Sequence, residues 1–139
     1  MSGEFIDSNV LVYLFSRPEP AKQAAAMDIV QRGLDGEGVI SFQVVQETLN
    51  VITRKLAPEV TIADARAFLS DVLTPLWRVM PSEDLYRRAL DIQERYHYGF
   101  YDALIVAAAL WAGCTTLYSE DFQHGQRIER LTVVNPFLG

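Results

Sequence analysis

One cysteine and two histidines are all that this 139-residue chain offers a soft metal. A single Cys114 cannot close an intramolecular disulfide, which fits a reducing compartment and leaves packing as the role of the thiol. His97 and His124 stand far apart in the sequence, so no His-rich zinc site can be assembled. Positive charge is also scarce: 12 Lys and Arg face 18 Asp and Glu, for a net charge of −6. That balance argues against gripping a phosphate backbone with basic side chains alone. Long hydrophobic runs are missing too. The longest, from Ala103 to Cys114, is too short to span a bilayer, and the start Met-Ser-Gly-Glu has no basic leader region. The chain is therefore read as soluble and cytoplasmic, with no membrane partner. There is no Gly-rich phosphate loop ending in Lys-Ser/Thr, no nucleophile elbow, no Cys-X-X-Cys, no repeat and no linker. With half its residues apolar, a chain of this length is expected to form one domain, 1–139.

What is present is an alternation of short apolar runs and helical periodicities. Gly3-Glu4-Phe5-Ile6 reads as a strand, followed at once by a helix over 9–15. A second helix is expected over about 20–34, a strand over 38–41, and a helix over 43–56 ended by Pro58. Next come a helix over about 62–73 stopped by Pro75, a strand over 76–80, and a helix over 83–96 capped by Ser82. An apolar helix over 103–110 closes at Gly113, and strands follow over 115–118 and 131–134. Strands alternating with helices imply right-handed crossovers, hence an α/β fold with a mainly parallel sheet of about five strands sandwiched by helices.

Four acids fall at the ends of these strands or early in the helices that leave them. Asp7 follows the first strand, Glu47 lies in the helix after the second, Asp102 opens the apolar helix, and Asp121 follows the strand over 115–118. Open α/β sheets hold their sites at that edge. Ionised acids brought close together raise one another's pKa, and the repulsion has to be offset by protons or cations. Oxygen-only ligands favour the hard cations Mg²⁺ or Mn²⁺, which bind through a few carboxylates plus substrate phosphate. Such a cation also draws phosphate to an acidic chain, with Arg17, Lys22, Arg54, Lys55, Arg127 and Arg130 either flanking the site or scattered on the surface. The chemistry suited to it is phosphodiester hydrolysis by an activated water. Two other acid-and-Mg²⁺ designs are excluded. A haloacid-dehalogenase-type phosphatase needs a second Asp where this chain has Asn9, and a phospho-receiver needs a Lys near its last strand, where 131–139 has none.

Together, FIDSNVLVYLF, ISFQVVQETLNVITRKLAP, FYDALIVAAALWAGCTTLYSEDFQHGQRI and LTVVNPF resemble a PIN-domain endoribonuclease of the kind found as VapC-type toxins in bacterial toxin–antitoxin pairs. The resemblance runs from Phe5 to Phe137. It implies a PIN-like fold and a Mg²⁺ or Mn²⁺ site formed by Asp7, Glu47, Asp102 and Asp121 as catalytic and metal-binding residues, with Asn9 and Ser119 supporting them by hydrogen bonds. It further implies an RNA substrate, an antitoxin protein partner and a homodimer. Thr48 stands where an aromatic is expected in close relatives, a packing change.

Each residue also has a plainer reading. Asp7 and Asp102 are good helix caps, and Glu47 falls off the apolar stripe of Val45, Leu49, Ile52 and Leu56 as a solvated glutamate would, so its assignment rests on the resemblance. Glu120 is read as a solvated neighbour of Asp121 and His124 as structural. Tyr101, beside Asp102, is the aromatic best placed to stack on a base, whereas Trp111 is assigned to the core or to a dimer contact. The rival functions are a catalytically silent PIN-like module that binds a protein or RNA, and a DNA-directed nuclease.

Overall fold

Parallel pairing dominates the computed structural model, which describes residues 3–138; the outermost residues of the expected 1–139 domain, Met1, Ser2 and Gly139, lie outside them. The described chain runs β1 (Gly3–Ile6), α1 (Ser8–Val12), α2 (Pro20–Arg32), β2 (Gly38–Ser41), α3 (Phe42–Arg54), α4 (Ile62–Phe68), α5 (Thr74–Leu76) and β3 (Trp77–Val79). It continues through α6 (Glu83–Tyr96), α7 (Phe100–Trp111), β4 (Cys114–Tyr118), β5 (Arg127–Ile128) and β6 (Leu131–Val134).

Among the described residues the sheet has six strands in the order β3-β2-β1-β4-β6-β5. Phe5 of β1 pairs with Val39 of β2 on one side and with Leu117 of β4 on the other, both parallel. Only β5 runs antiparallel, with Ile128 opposite Leu131 of β6. The strand count exceeds the expected five by this two-residue ribbon, too short to carry a readable alternation. The chain winds outward from β1 through β2 to β3, then crosses back to β4 on the far side of β1. Right-handed crossovers place the helices of these two halves on opposite faces of the sheet.

Residue choice follows burial. All four residues of β2 are buried, as a strand covered on both faces requires. Helix α7 is buried continuously from Ala103 to Leu110, which suits a helix lying between α6 and β4. Cys114 opens β4 fully buried, and burial pushes its thiol up to about 12, so it packs rather than reacts. No helix among the described residues is long and apolar enough to cross a membrane.

Several boundaries differ from the sequence reading. Helix α1 gives way to a tighter 3₁₀ turn at Tyr13–Phe15. The expected 62–73 helix widens into a π-type turn at Leu69–Leu73, and Pro75 does not stop it but sits in the first turn of α5, where a missing N–H costs nothing. Helix α7 begins at Phe100, before Asp102, because Gly99 serves as its N-cap.

Candidate active site

The order reversal between β1 and β4 leaves a crevice at their carboxyl ends, since the loops leaving the two strands diverge. Asp7 follows β1 and Ser119, Glu120 and Asp121 follow β4, so both strands deliver polar groups to that crevice. Asp7 is the N-cap of α1: its Oδ1 accepts from the Ser8 backbone N–H at 2.7 Å. Its Oδ2 accepts from the Ser119 hydroxyl at 2.8 Å. The capping reading and a site role are thus compatible in one side chain.

Around this pair the polar groups form a closed net. Asn9 donates from Nδ2 to Ser119 Oγ at 3.2 Å and to Asp121 Oδ2 at 3.1 Å, while the Asp121 backbone N–H donates to Ser119 Oγ at 3.1 Å. The Glu120 N–H donates to Asn9 Oδ1 at 3.4 Å. Glu47 enters from the middle of α3, not its start, and is held by two donors. Ser8 Oγ reaches its Oε1 at 3.1 Å, and Gln43 Nε2 reaches its Oε2 at 3.2 Å. Asp102 lies in the first turn of α7, three residues past the Gly99 cap, so it is not the N-cap, although an acid there still faces the positive end of the helix dipole.

The four acids share one electrostatic field. Asp7 is only 4% exposed, and burial pushes its carboxyl up to about 7; the hydrogen bonds from Ser119 and Ser8 oppose the rise, and the charges of Glu47 and Asp121 add to it. Asp102 is raised as well, by partial desolvation and then by the charge of Asp121. Asp121 therefore acts on both, and Glu47 on Asp7. None of the four carboxylates makes an ion pair among the described residues.

Among the described residues no three His, Cys, Asp or Glu side chains stand close enough together to hold a metal ion as they are placed. The donor chemistry nonetheless suits a hard divalent cation: oxygen ligands only, several negative charges, no basic side chain paired with them. The carboxylates would have to close on the ion from their present positions.

Other sequence candidates resolve individually. Glu120 turns outward, accepting from the Tyr13 hydroxyl at 2.8 Å, with Lys22 4.0 Å away. Lys22 also lies over the Tyr13 and Phe137 rings, and of the six flanking bases it is the one in contact with this rim. Arg17 and Lys55 line a separate cavity of about 830 Å³ with Leu14, Phe15 and Leu56. Arg127 and Arg130 donate to the backbone carbonyls of Glu129 and Leu110. His124 is structural, its Nδ1 accepting from the Asn135 N–H at 3.0 Å. Trp111, the last residue of α7, is 55% exposed, which excludes the core and leaves the dimer contact of its two readings. Tyr101 is 68% exposed next to Asp102. Sequence reasoning missed Ser8 and Gln43 as partners of Glu47. The signal for Gln43 was its position four residues before Glu47, which puts both on one face of α3.

Fold and site together define an open α/β domain with an acidic cluster at its topological switch point. The PIN domain family model matches residues 5–128, and the chain belongs to that family. Solved structures of similar fold include a toxin–antitoxin complex from Klebsiella pneumoniae, with a TM-score of 0.70 and 19% identity over 97% of this chain and 98% of that one. VapBC2 from Rickettsia felis, bound to a DNA fragment from its promoter, gives 0.65 and 17% over 94% and 96%. VapC20 of Mycobacterium tuberculosis, a toxin that cleaves the sarcin–ricin loop, gives 0.59 and 24% over 86% and 90%. No curated protein sequence matches the chain.

Proposed function

We propose that this chain is a metal-dependent endoribonuclease and the toxin of a toxin–antitoxin pair. The observation that carries the reading is a set of four carboxylates at one sheet edge, two of which, Asp7 and Asp102, are raised by burial and by neighbouring acids, with no ion pair to any of the four among the described residues. Asp7, Glu47, Asp102 and Asp121 are the residues that would hold Mg²⁺ or Mn²⁺. A bound divalent cation would lower the pKa of a water and neutralise charge developing on phosphate. In the hydrolysis, the water's hydroxyl joins phosphorus, the bond to the departing 3′ oxygen breaks, and the remaining proton ends on that oxygen.

The chain's own contribution is orientation. Ser119 and Ser8 fix both oxygens of Asp7, and Asn9 aims Asp121. Tyr101, exposed beside Asp102, offers an aromatic face to a base of a single-stranded or looped RNA. Several solved relatives in fold are toxins or toxin–antitoxin complexes, which supports an antitoxin protein as partner. A homodimer, a cytoplasmic site of action and one domain spanning 1–139 complete the reading.

The test is to incubate the purified protein with total cellular RNA and Mn²⁺, with Asp7→Asn and a chelator as controls, and to sequence the new 5′ ends. Discrete ends in the wild-type, metal-containing sample alone are expected. RNA binding without new ends would refute the enzyme and favour a silent binding module.

A further inference from the structure

Gln43 sits in the first turn of α3, 3% exposed, with Glu47 one helical turn further on. Its Nε2 donates to Glu47 Oε2 at 3.2 Å and to the backbone carbonyl of Tyr101 at 3.1 Å. Both partners are acceptors, and only the NH₂ end of a side-chain amide carries donors, so chemistry fixes which way the amide faces. The consequence is visible at the other end: among the described residues, Gln43 Oε1 is buried with no hydrogen-bond partner. An unsatisfied buried acceptor opposes folding, and a Leu or Met of similar size would fill the space without it.

We infer that Gln43 is a positioning residue for Glu47, anchored on the Tyr101 carbonyl at the start of α7. The inference rests on the nuclease reading. Glu47 belongs to α3 and Asp102 to α7, and nothing in the local sequence of either helix sets the distance between them. The amide does, because its two hydrogens point to one group on each helix. Ser8 Oγ holds the opposite oxygen of Glu47 at 3.1 Å, so the carboxylate is gripped from both sides. A buried group that weakens the fold while orienting an acid is expected where function, not stability, selects the side chain.

The experiment compares wild type with Gln43→Met and Gln43→Leu in four readouts. Urea unfolding of the metal-free protein is expected to show stability close to wild type in the variants, since removing the orphaned oxygen offsets the loss of the two amide hydrogen bonds. Calorimetric titration with Mn²⁺ is expected to show about 10- to 100-fold weaker binding. RNA cleavage is expected to lose kcat with KM unchanged. In a metal-free crystal structure of Gln43→Met, the Glu47 carboxylate is expected to leave its wild-type position. With Glu47→Ala as the background, Gln43→Met should weaken Mn²⁺ binding no further. Failure of both variants to fold would make the amide a structural requirement and overturn the inference. So would an unmoved Glu47, wild-type Mn²⁺ affinity, or an equal loss in the Glu47→Ala background. The nuclease reading fails separately, if the wild type itself neither binds Mn²⁺ nor cleaves RNA.

Discussion

Ser119 and Asp7, 112 positions apart in sequence, share a 2.8 Å hydrogen bond that joins the ends of β1 and β4. The same hydroxyl oxygen accepts from the Asp121 backbone N–H and from Asn9 Nδ2, so one buried serine aligns three polar groups of the site. Ser119→Ala leaves Asp7 without its strongest opposing hydrogen bond and two donors without their acceptor. The expected loss is about 1–3 kcal/mol of stability, read by urea denaturation, together with a further rise of the Asp7 pKa. Mn²⁺ affinity should fall about 10-fold or more. Unchanged stability and affinity would deny Ser119 its organising role.

The raised carboxyl of Asp7 sets a pH dependence. Unfolded, the group titrates near 3.8; folded, near 7. Between these values the folded state holds a proton that the unfolded state has released, so stability attributable to Asp7 falls as pH rises from about 4 to about 7 and is flat above. Asp7→Asn removes the effect. In metal-free buffer, the variant should match the wild type near pH 4 and exceed it by up to about 4 kcal/mol at pH 7.5 and above. Chemical denaturation at a series of pH values measures the gap. A gap independent of pH would mean that Asp7 is ionised at no cost.

How much of this was legible in the sequence depends on whether a feature is local. Asp7, Asp102 and Asp121 stood out because each follows a recognisable strand or leads an apolar helix, and Ser82 announced α6 by its capping hydroxyl, which accepts from the Leu85 N–H at 3.1 Å. Asn9 and Ser119 came from the resemblance, and the structure joins them by a hydrogen bond. Ser8 was hidden because its bond to Glu47 is set by the packing of α1 on α3, and the link from Gln43 to the Tyr101 carbonyl by the approach of α3 to α7, neither of which a single segment encodes; only the spacing of Gln43 to Glu47 was local. Ribbon β5 was hidden for the same reason: its pairing with β6 outweighs the weak propensity of two residues. Gly99, read as a break, is the cap that shifts α7 forward and moves Asp102 into its first turn.

Divalent cations should stabilise the folded chain if the acids close on them. At a free Mn²⁺ concentration about a hundredfold above Kd, linkage adds about 2.7 kcal/mol. For a chain of this length that is roughly 5–10 °C in Tm. The shift should shrink sharply in Asp7→Asn and Asp121→Asn, because each removes a charge from the cluster. Thermal scans with Mg²⁺, Mn²⁺ and chelator provide the comparison, and a wild-type Tm indifferent to all three would count against the metal site.

Glycine at the root of β2 lets the strand lie directly against the turn that follows α2. A Cβ on Gly38 would lie 2.5 Å from the Gly33 Cα and 2.9 Å from its carbonyl carbon, with Leu76 Cδ2 at 2.8 Å. Backbone atoms cannot rotate away as a side-chain tip can, so Gly38→Ala must push the turn after α2 off the sheet. Overpacking of this kind costs about 1–3 kcal/mol. The displacement would travel along β2 to Ser41, whose hydroxyl caps α3 by accepting from the Val44 N–H at 3.4 Å, and so to the helix that carries Gln43 and Glu47. Gly99 gives the control. A Cβ there meets nothing within 4 Å and its φ is −63°, so Gly99→Ala should cost about 1 kcal/mol or less. Urea unfolding of both variants decides the matter: equal losses would show that the Gly33–Gly38 contact yields readily and does not fix the sheet edge.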